Sequence, residues 1–332
     1  MSHSPRPQRR SLLALAVLCS ALALVVAACG DDEESSSGSG SSSAKKSYKM
    51  TLIAGVKGDE FYITMNCGAK AKAEELGVEL DFQGPQEFDA AQQTPIVNAV
   101  AAKKPDAVLI APTDTKALYA PIKQLAEGGT KIVLVDTTLE QADMAVSEIA
   151  SDNEAGGAEA ARALAELIGG SGKVFVINVK PGISTTDARE KGFVAGAKEA
   201  GLEYVGREYS NDKPETAAAK VKAALQKDSD LKGIFGTNLF SAEGAASGVR
   251  EAGANVKIVG FDAGPKQVKD LEDGTVQALI AQKPADIGAQ GVEQAFNALE
   301  GKPTTKKIGT ESTTITKDTL SENQDALYKA AC

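Results

Sequence analysis

Residues 49–80 read KMTLIAGVKGDEFYITMNCGAKAKAEELGVEL, and residues 173–204 read KVFVINVKPGISTTDAREKGFVAGAKEAGLEY. A shift of 124 residues lays one on the other without a gap. Lys49/Lys173, Ile53/Ile177, Gly58/Gly182, Gly68/Gly192, Ala71/Ala195, Ala73/Ala197, Glu75/Glu199, Gly77/Gly201 and Glu79/Glu203 then coincide. A shift of 126 lays 105–136 on 231–262, and Lys131-Ile132-Val133-x-x-Asp136 meets Lys257-Ile258-Val259-x-x-Asp262. Ala-rich chains match by chance in single windows; two ungapped windows at nearly one offset mark an internal duplication. Strand-like apolar runs occur at 50–56, 78–83, 107–111, 131–135, 173–179, 204–209, 233–237, 256–261 and 276–281. Ala-rich amphipathic stretches such as 63–76, 90–103 and 216–227 lie between them. Non-alternating apolar strands interleaved with helices predict two similar α/β halves, each with a parallel sheet covered on both faces.

In open parallel sheets ligands bind beyond the carboxyl ends of the strands. Asp136 and Asp262 follow the fourth strand of their halves; Asn238 follows the third strand of the second, with Thr113 and Asp114 near the matching point of the first. The loop after the first strand carries Asp59, Glu60, Phe61 and Tyr62 in one half, and Ser184, Thr185, Thr186, Asp187 and Arg189 in the other. With the halves face to face, these loops line one cleft. Carboxylates accept, amides accept and donate, and Arg donates in a fork, so such groups suit vicinal hydroxyls. Phe61, Tyr62, Phe240 and Phe261 offer rings for an apolar C–H face, and no second strong cation or GxxxxGK[ST] loop is present for a phosphate. Each element has a plainer reading. Asp136, Asp262 and Asn238 serve equally as helix caps. Phe61 and Tyr62 serve as core contacts, Arg189 as a partner of Glu190, and Asp59-Glu60 as solvated or helix N-terminal charges. The symmetric placement favours the joint reading. Two carboxylates across a cleft, Asp136 and Asp262, also keep a glycoside hydrolase in view.

The 332 residues suffice for two ordinary domains, with 42% hydrophobic and 24% charged residues. Residues 1–28 stand apart: Arg6, Arg9 and Arg10 precede an uncharged apolar run, and Val26-Ala27-Ala28-Cys29 follows. This reads as a signal peptide, with a single membrane anchor or a twin-arginine signal as weaker readings. Its removal takes away three Arg, no acid and His3, the only histidine, so the formal charge moves from −9 to −12. A chain without His runs no Ser-His-Asp or Cys-His mechanism and offers no His to a metal, and its acidity argues against nucleic-acid binding. No cofactor or metal is expected. Residues 30–47 hold acids, then Ser/Gly, then Lys, a tether of about 20–25 Å reach. Cys67 and Cys332 are either bridged or two free thiols, since sequence does not give their separation.

The small-small-Cys ending resembles a bacterial lipobox, which implies cleavage before Cys29 and its lipidation. From Lys49 to about Ile308 the chain resembles the periplasmic sugar-binding proteins of the ribose-binding type, the solute receptors of ABC importers. Phe61-Tyr62, Ile149-Ala150-Ser151-Asp152-Asn153, Arg189-x-x-Gly192-Phe193, Val259-Gly260-Phe261-Asp262 and Ile280-Ala281-Gln282-x-Pro284-x-x-Ile287-Gly288 carry the likeness. The lac-repressor-type regulators share this core but carry a DNA-binding module where this chain has a lipoprotein signal.

The resemblance implies two Rossmann-like α/β domains with parallel sheets joined by a three-crossing hinge, the periplasmic binding protein type I fold. Crossings are expected near 151–152, 282–283 and 310–312. They give a first domain of 48–151 plus 283–310, a second of 152–282, and a C-terminal tail, 311–332, across the hinge. Phe61 and Tyr62 would sandwich a sugar ring, and Asp136 would hold hydroxyls from the first domain. Asn238, Asp262 and Gln282 would do so from the second domain and hinge, and Arg189 lies where ribose binders place arginines. Thr137 and Asp187 stand where ribose binders carry further arginines, and Asp59-Glu60 where they commonly carry Asn-Pro. With Thr185, Thr186 and Phe240, these departures point away from ribose to another monosaccharide or a sugar alcohol. The expected protein is not an enzyme. It is a monomeric, extracytoplasmic receptor, anchored to the cytoplasmic membrane through lipidated Cys29, that passes its ligand to an ABC permease. A sensory receptor, a carboxylate-pair hydrolase and a binder of a furanone or other small polar ligand are the alternatives.

Overall fold

The computed structural model describes residues 47–332. The expected signal peptide, Cys29 and the tether up to residue 46 lie outside the described residues. The first elements are β1 (Lys49–Ile53), α1 (Glu60–Leu76), β2 (Glu79–Gln83), α2 (Ala90–Lys103), β3 (Ala107–Ile110), α3 (Tyr119–Glu127), β4 (Lys131–Val135) and β5 (Ala145–Ser151). Then come α4 (Asn153–Ile168), β6 (Lys173–Asn178), α5 (Ser184–Glu199), β7 (Glu203–Tyr209), α6 (Pro214–Lys227), β8 (Leu231–Gly236) and α7 (Leu239–Ala252). The last are β9 (Lys257–Phe261), α8 (Pro265–Glu272), β10 (Ala278–Ala281), α9 (Pro284–Leu299), β11 (Lys307–Thr310) and β12 (Thr313–Thr316).

These form two six-stranded sheets, ordered β11-β5-β4-β3-β1-β2 and β12-β10-β9-β8-β6-β7. All pairings are parallel except β10 with β12. β3 and β10 are buried along their whole length, and β1, β4, β6 and β9 at all but the first residue, because helices cover both faces. β5, β11 and β12 were not among the expected strands. β5 alternates buried and half-buried residues, and β11 and β12 are short Lys- or Thr-bearing edges, so none shows an apolar run.

Asp59, Asp89, Asp152 and Asn238 cap their helices by accepting from backbone N–H groups in the first turn. One consequence corrects the sequence reading. Phe61 and Tyr62 are not in a loop but in the first turn of α1, and Ser184–Arg189 open α5.

The chain passes from one sheet to the other between β5 and α4, between β10 and α9, and between β11 and β12. α4 packs on α5 and β9, and α9 on α1, β4 and β5. Both helix pairs touch backbone to backbone. A side chain at Gly68 or Gly288 would strike the carbonyl of Ala285 or Met65, and one at Gly157 or Gly192 that of Arg189 or Glu154. The duplicated Gly68 and Gly192 therefore serve the same close approach in each half. Past β12 the tail reaches Cys332, which is bridged to Cys67 of α1 with the Cα atoms 5.3 Å apart.

Candidate functional site

Both sheets place a first strand between a second and a third (β2-β1-β3 and β7-β6-β8), so each has a switch point where neighbouring crossovers diverge. The loops at those points meet in one cavity. From the first sheet's half it is lined by Asp59, Phe61, Tyr62, Phe88 and Asp136. The second contributes Val179, Ile183, Thr185, Thr186, Arg189, Asp212, Asn238 and Asp262, and the β10–α9 crossing contributes Gln282.

Asp136 and Asp262 leave β4 and β9 with φ of 62° and 80°. This left-handed backbone is uncommon outside glycine and best tolerated by Asp and Asn. It is fixed by Asp136 N donating to Ile149 O (2.8 Å) and Asp262 N donating to Ile280 O (2.9 Å). Neither aspartate is its helix's N-cap; that plainer reading holds for Asn238, whose Oδ1 accepts from Ser241 N while its Nδ2 donates to Asp212 Oδ1 at 2.7 Å.

Asp262 Oδ1 accepts from Gln282 Nε2 (2.6 Å) and Tyr328 Oη (2.9 Å), and its Oδ2 from Leu239 N (2.9 Å). Of a carboxylate's roughly four acceptor positions this leaves about one for a ligand. Asp136 Oδ2 accepts from Tyr62 Oη at 2.7 Å. Burial pushes Asp136 up to about 6, opposed by Arg189 and by the Tyr62 hydrogen bond. Burial also takes Asp212 up to about 6, opposed by Asn238 and Lys180. Asp59 is held well above the usual carboxylate range by burial and by Asp262 and Asp212. It is thus a helix cap, yet buried and on the cavity wall rather than solvated.

Arg189 is 3% exposed. Its guanidinium lies 3.9 Å over the Phe261 ring, with Nε donating to Asn153 Oδ1 (2.8 Å) and Nη1 to Thr237 O (2.9 Å). Its remaining N–H groups are available to the cavity. The hydroxyl oxygen of Thr186 is buried without a hydrogen-bond partner.

Thr137, Asp187, Phe240 and Phe261, all expected at the ligand, lie outside the lining. Thr137 donates its hydroxyl to Pro112 O at 2.8 Å. Asp187 turns back on its own loop, accepting from Gly182 N (2.9 Å) and Asn178 Nδ2 (3.4 Å). Phe240, in the first turn of α7, packs half-buried against the core. Phe261 is fully buried beneath Arg189. The expected sandwich between Phe61 and Tyr62 is also not formed. Their ring centroids are 5.1 Å apart at 85°, so the two rings pack edge to face and cannot clasp a ligand between parallel faces. Phe88 and Asp212 were not among the expected lining residues; Asp59, in a loop expected to line the cleft, does line it.

The halves touch across the rim of the cavity. Lys180 Nζ donates to Phe88 O (2.7 Å), Thr138 N donates to Ser184 Oγ (3.0 Å), and Lys213 pairs with Glu87 at 3.2 Å.

Residues 50–303 match the sequence model of the periplasmic binding protein domain. Among curated relatives, the ribose import binding protein of Bacillus subtilis is 28% identical over 266 residues, covering 80% of this chain and 86% of that protein. The D-ribose/D-allose-binding protein of Pseudomonas aeruginosa is 31% identical over 281 residues, covering 80% and 87%. Among solved structures, an ABC transporter solute binding protein from Agrobacterium vitis, bound to α-D-tagatopyranose, is 42% identical. It superposes with a TM-score of 0.83 over 85% of this chain and 99% of that one.

Proposed function

The chain belongs to the periplasmic binding protein domain family, and from that premise we propose that it captures a monosaccharide or sugar alcohol between its two halves for an ABC importer. One observation carries the reading. Four carboxylates, two amides, a guanidinium and the unpartnered Thr186 hydroxyl converge from both halves on one cavity with an aromatic wall. Such groups match a ligand that presents many hydroxyls in a small volume. Asp59, Asp136, Asp212 and Asp262 outnumber Arg189, so the wall is mainly an acceptor surface. It suits hydroxyl donors and opposes anions. With Thr137 and Asp187 turned away and neither an arginine, the ribose pattern is incomplete. The 42% identity to a protein that holds a tagatopyranose supports a hexose of that kind as the first candidate.

No reaction is part of this reading. Asp262, engaged by Gln282, Tyr328 and Leu239, is arranged as a fixed acceptor rather than as an acid that gives up a proton. Ligand entering the open form would be held first by one half, and closure would add the other half's hydrogen bonds. The closed shape is what a membrane permease would recognise, and the ligand shifts the population toward it by its differential affinity. Lipidated Cys29 would hold this monomeric, extracytoplasmic receptor at the membrane beside its permease.

The test is calorimetric titration of residues 47–332 with D-tagatose, D-ribose, D-allose and galactitol, alongside assay of nitrophenyl glycosides for turnover. Saturable binding of one sugar with no turnover is the expected result. Turnover, or a folded protein that binds none of them, would sink the reading.

A further inference from the structure

Past β12 the chain has no counterpart in the duplication, yet its last residues enter the hinge. Tyr328 is 5% exposed. Its N–H donates to Ala263 O at 3.0 Å, beside the ligand-facing Asp262. Its hydroxyl donates to Asp262 Oδ1 (2.9 Å) and accepts from the backbone N–H of Gln282 (3.1 Å), in the β10–α9 crossing. Gln282 in turn ties Asp262 Oδ1 to Ser151, whose Oγ donates to Gln282 Oε1 at 2.7 Å and lies 3.3 Å from Thr310 Oγ1. Ser151 and Thr310 end β5 and β11, the strands from which the other two crossings leave. One hydrogen-bonded chain thus joins all three crossings to a cavity carboxylate, with Tyr328 at its head.

After Tyr328 the chain is fastened to the other half at two points. Lys329 N donates to Thr64 Oγ1 of α1 at 2.7 Å, and Cys332 is bridged to Cys67 of the same helix. The Tyr328 ring lies 5.8 Å from that of Phe61, which lines the cavity from α1. The phenol is a neutral donor at any ordinary pH, because burial, with Asp262 beside it, holds it well above the usual tyrosine range.

We propose that Tyr328 is a positioning residue for ligand binding, aiming the free acceptor position of Asp262, and that the Cys67–Cys332 disulfide acts by holding it there. This rests on the sugar-binding reading of the cavity. Removing the phenolic hydroxyl takes away one of the two donors that hold Asp262 Oδ1, loosening its aim, and leaves the Gln282 N–H without a partner. Breaking the bridge frees the tail end from α1 and releases the same hydroxyl by another route. The bridge closes a loop across most of the chain, so it also adds stability of its own, separate from its effect on binding.

The test is a double-mutant cycle in the full mature chain. Tyr328→Phe keeps the ring on Phe61 and loses only the hydroxyl; Cys67→Ser with Cys332→Ser removes the bridge. D-tagatose is titrated by calorimetry, and exchange of the Gln282 amide hydrogen is followed without ligand. Each arm is expected to raise Kd by roughly tenfold and to speed exchange at Gln282, and the combined variant to bind no worse than the weaker arm. A Kd within about twofold of the parent for Tyr328→Phe with unchanged exchange would overturn the role of Tyr328. Fully additive effects would overturn the link to the bridge. If the parent binds no sugar, the reading of the cavity fails, and the Gln282 exchange still decides whether Tyr328 orders the hinge.

Discussion

Asp136 and Asp262 stand at the same point of the two halves, each the first residue beyond the fourth strand and each in a left-handed backbone conformation, with φ of 62° and 80°. That turn sends the carboxylate off the sheet's end and into the cavity, which each aspartate lines from its own half. Their surroundings then differ: Asp136 holds one hydroxyl, from Tyr62, while Asp262 is gripped by Gln282, Tyr328 and Leu239.

Asp262→Ala is expected to weaken sugar binding by more than tenfold and to destabilise the ligand-free protein. It removes a ligand acceptor and strands three donors at once. Each stranded buried group costs about 1–3 kcal/mol before relaxation. Calorimetric titration reads the first effect and urea denaturation the second; unchanged affinity removes Asp262 from the site.

The ligand-free protein is expected to lose stability as pH rises from about 4 toward 7. Asp136 and Asp212 titrate near 6 when folded, against 3.8 for the free side chain. Between those values the folded form holds more protons than the unfolded chain, so raising pH favours unfolding. Asp59, raised further by burial, acts in the same direction. Hydroxyls donated by a sugar favour the ionised carboxylates, so saturating ligand should flatten the slope. Denaturation midpoints from pH 4 to 8, with and without D-tagatose, check both; a ligand-free curve that is flat or rises over pH 4–6 contradicts the burial argument.

At pH 8 a uronic acid is expected to bind at least about a hundredfold more weakly than the neutral sugar of the same ring, because one guanidinium faces Asp136 and Asp212, both ionised well above pH 6, on a wall that also carries Asp59 and Asp262. Competition between D-tagatose and D-galacturonate reads this directly. Comparable affinities would mean the aspartates are largely protonated in the complex.

Lys180→Ala is expected to favour the open form. Lys180 donates to Phe88 O across the rim, a hydrogen bond that breaks when the halves part. The ligand-free radius of gyration by small-angle scattering should rise while the sugar-bound value stays, and Kd should rise several-fold as the competent population shrinks. An unchanged ligand-free radius would show that this hydrogen bond does not bias closure.

Gly288→Ala is expected to destabilise the protein by about 1–3 kcal/mol or more, since its methyl group meets the Met65 carbonyl of α1 and backbone cannot step aside as a side chain can. Urea denaturation measures it. Gly309→Ala, with open space around the position, is the control and should be near neutral.

The duplication was legible because fully buried parallel strands leave continuous apolar runs, as in Ile132–Val135 and Ile258–Phe261. β5 escaped because alternation, with Glu148 at its centre, hides an inner strand. In the cavity, Asp136 and Asp262 could be picked out because like residues stand at like positions. Phe88 and Asp212 could not. They lie in the same loop of each half, one shift of 124 residues apart, but one is aromatic and the other acidic. Tyr328 had no partner position to compare, since the tail follows the second copy. The perpendicular set of Phe61 on Tyr62 depends on the bond from Tyr62 to Asp136, a residue 74 positions distant in sequence.

The reciprocal glycines between α1 and α9, and between α4 and α5, have a bearing on how such a protein changes its diet. Helix spacing in each half is set by main chain against main chain, so it does not depend on the size of any side chain. Residues on the cavity wall, such as Val179, Ile183 and Phe88, can then be exchanged without moving the frame that carries them. A lineage could drift from one nutrient to another through a handful of wall substitutions, while the mechanical parts, and whatever reads their closed outline, stay the same.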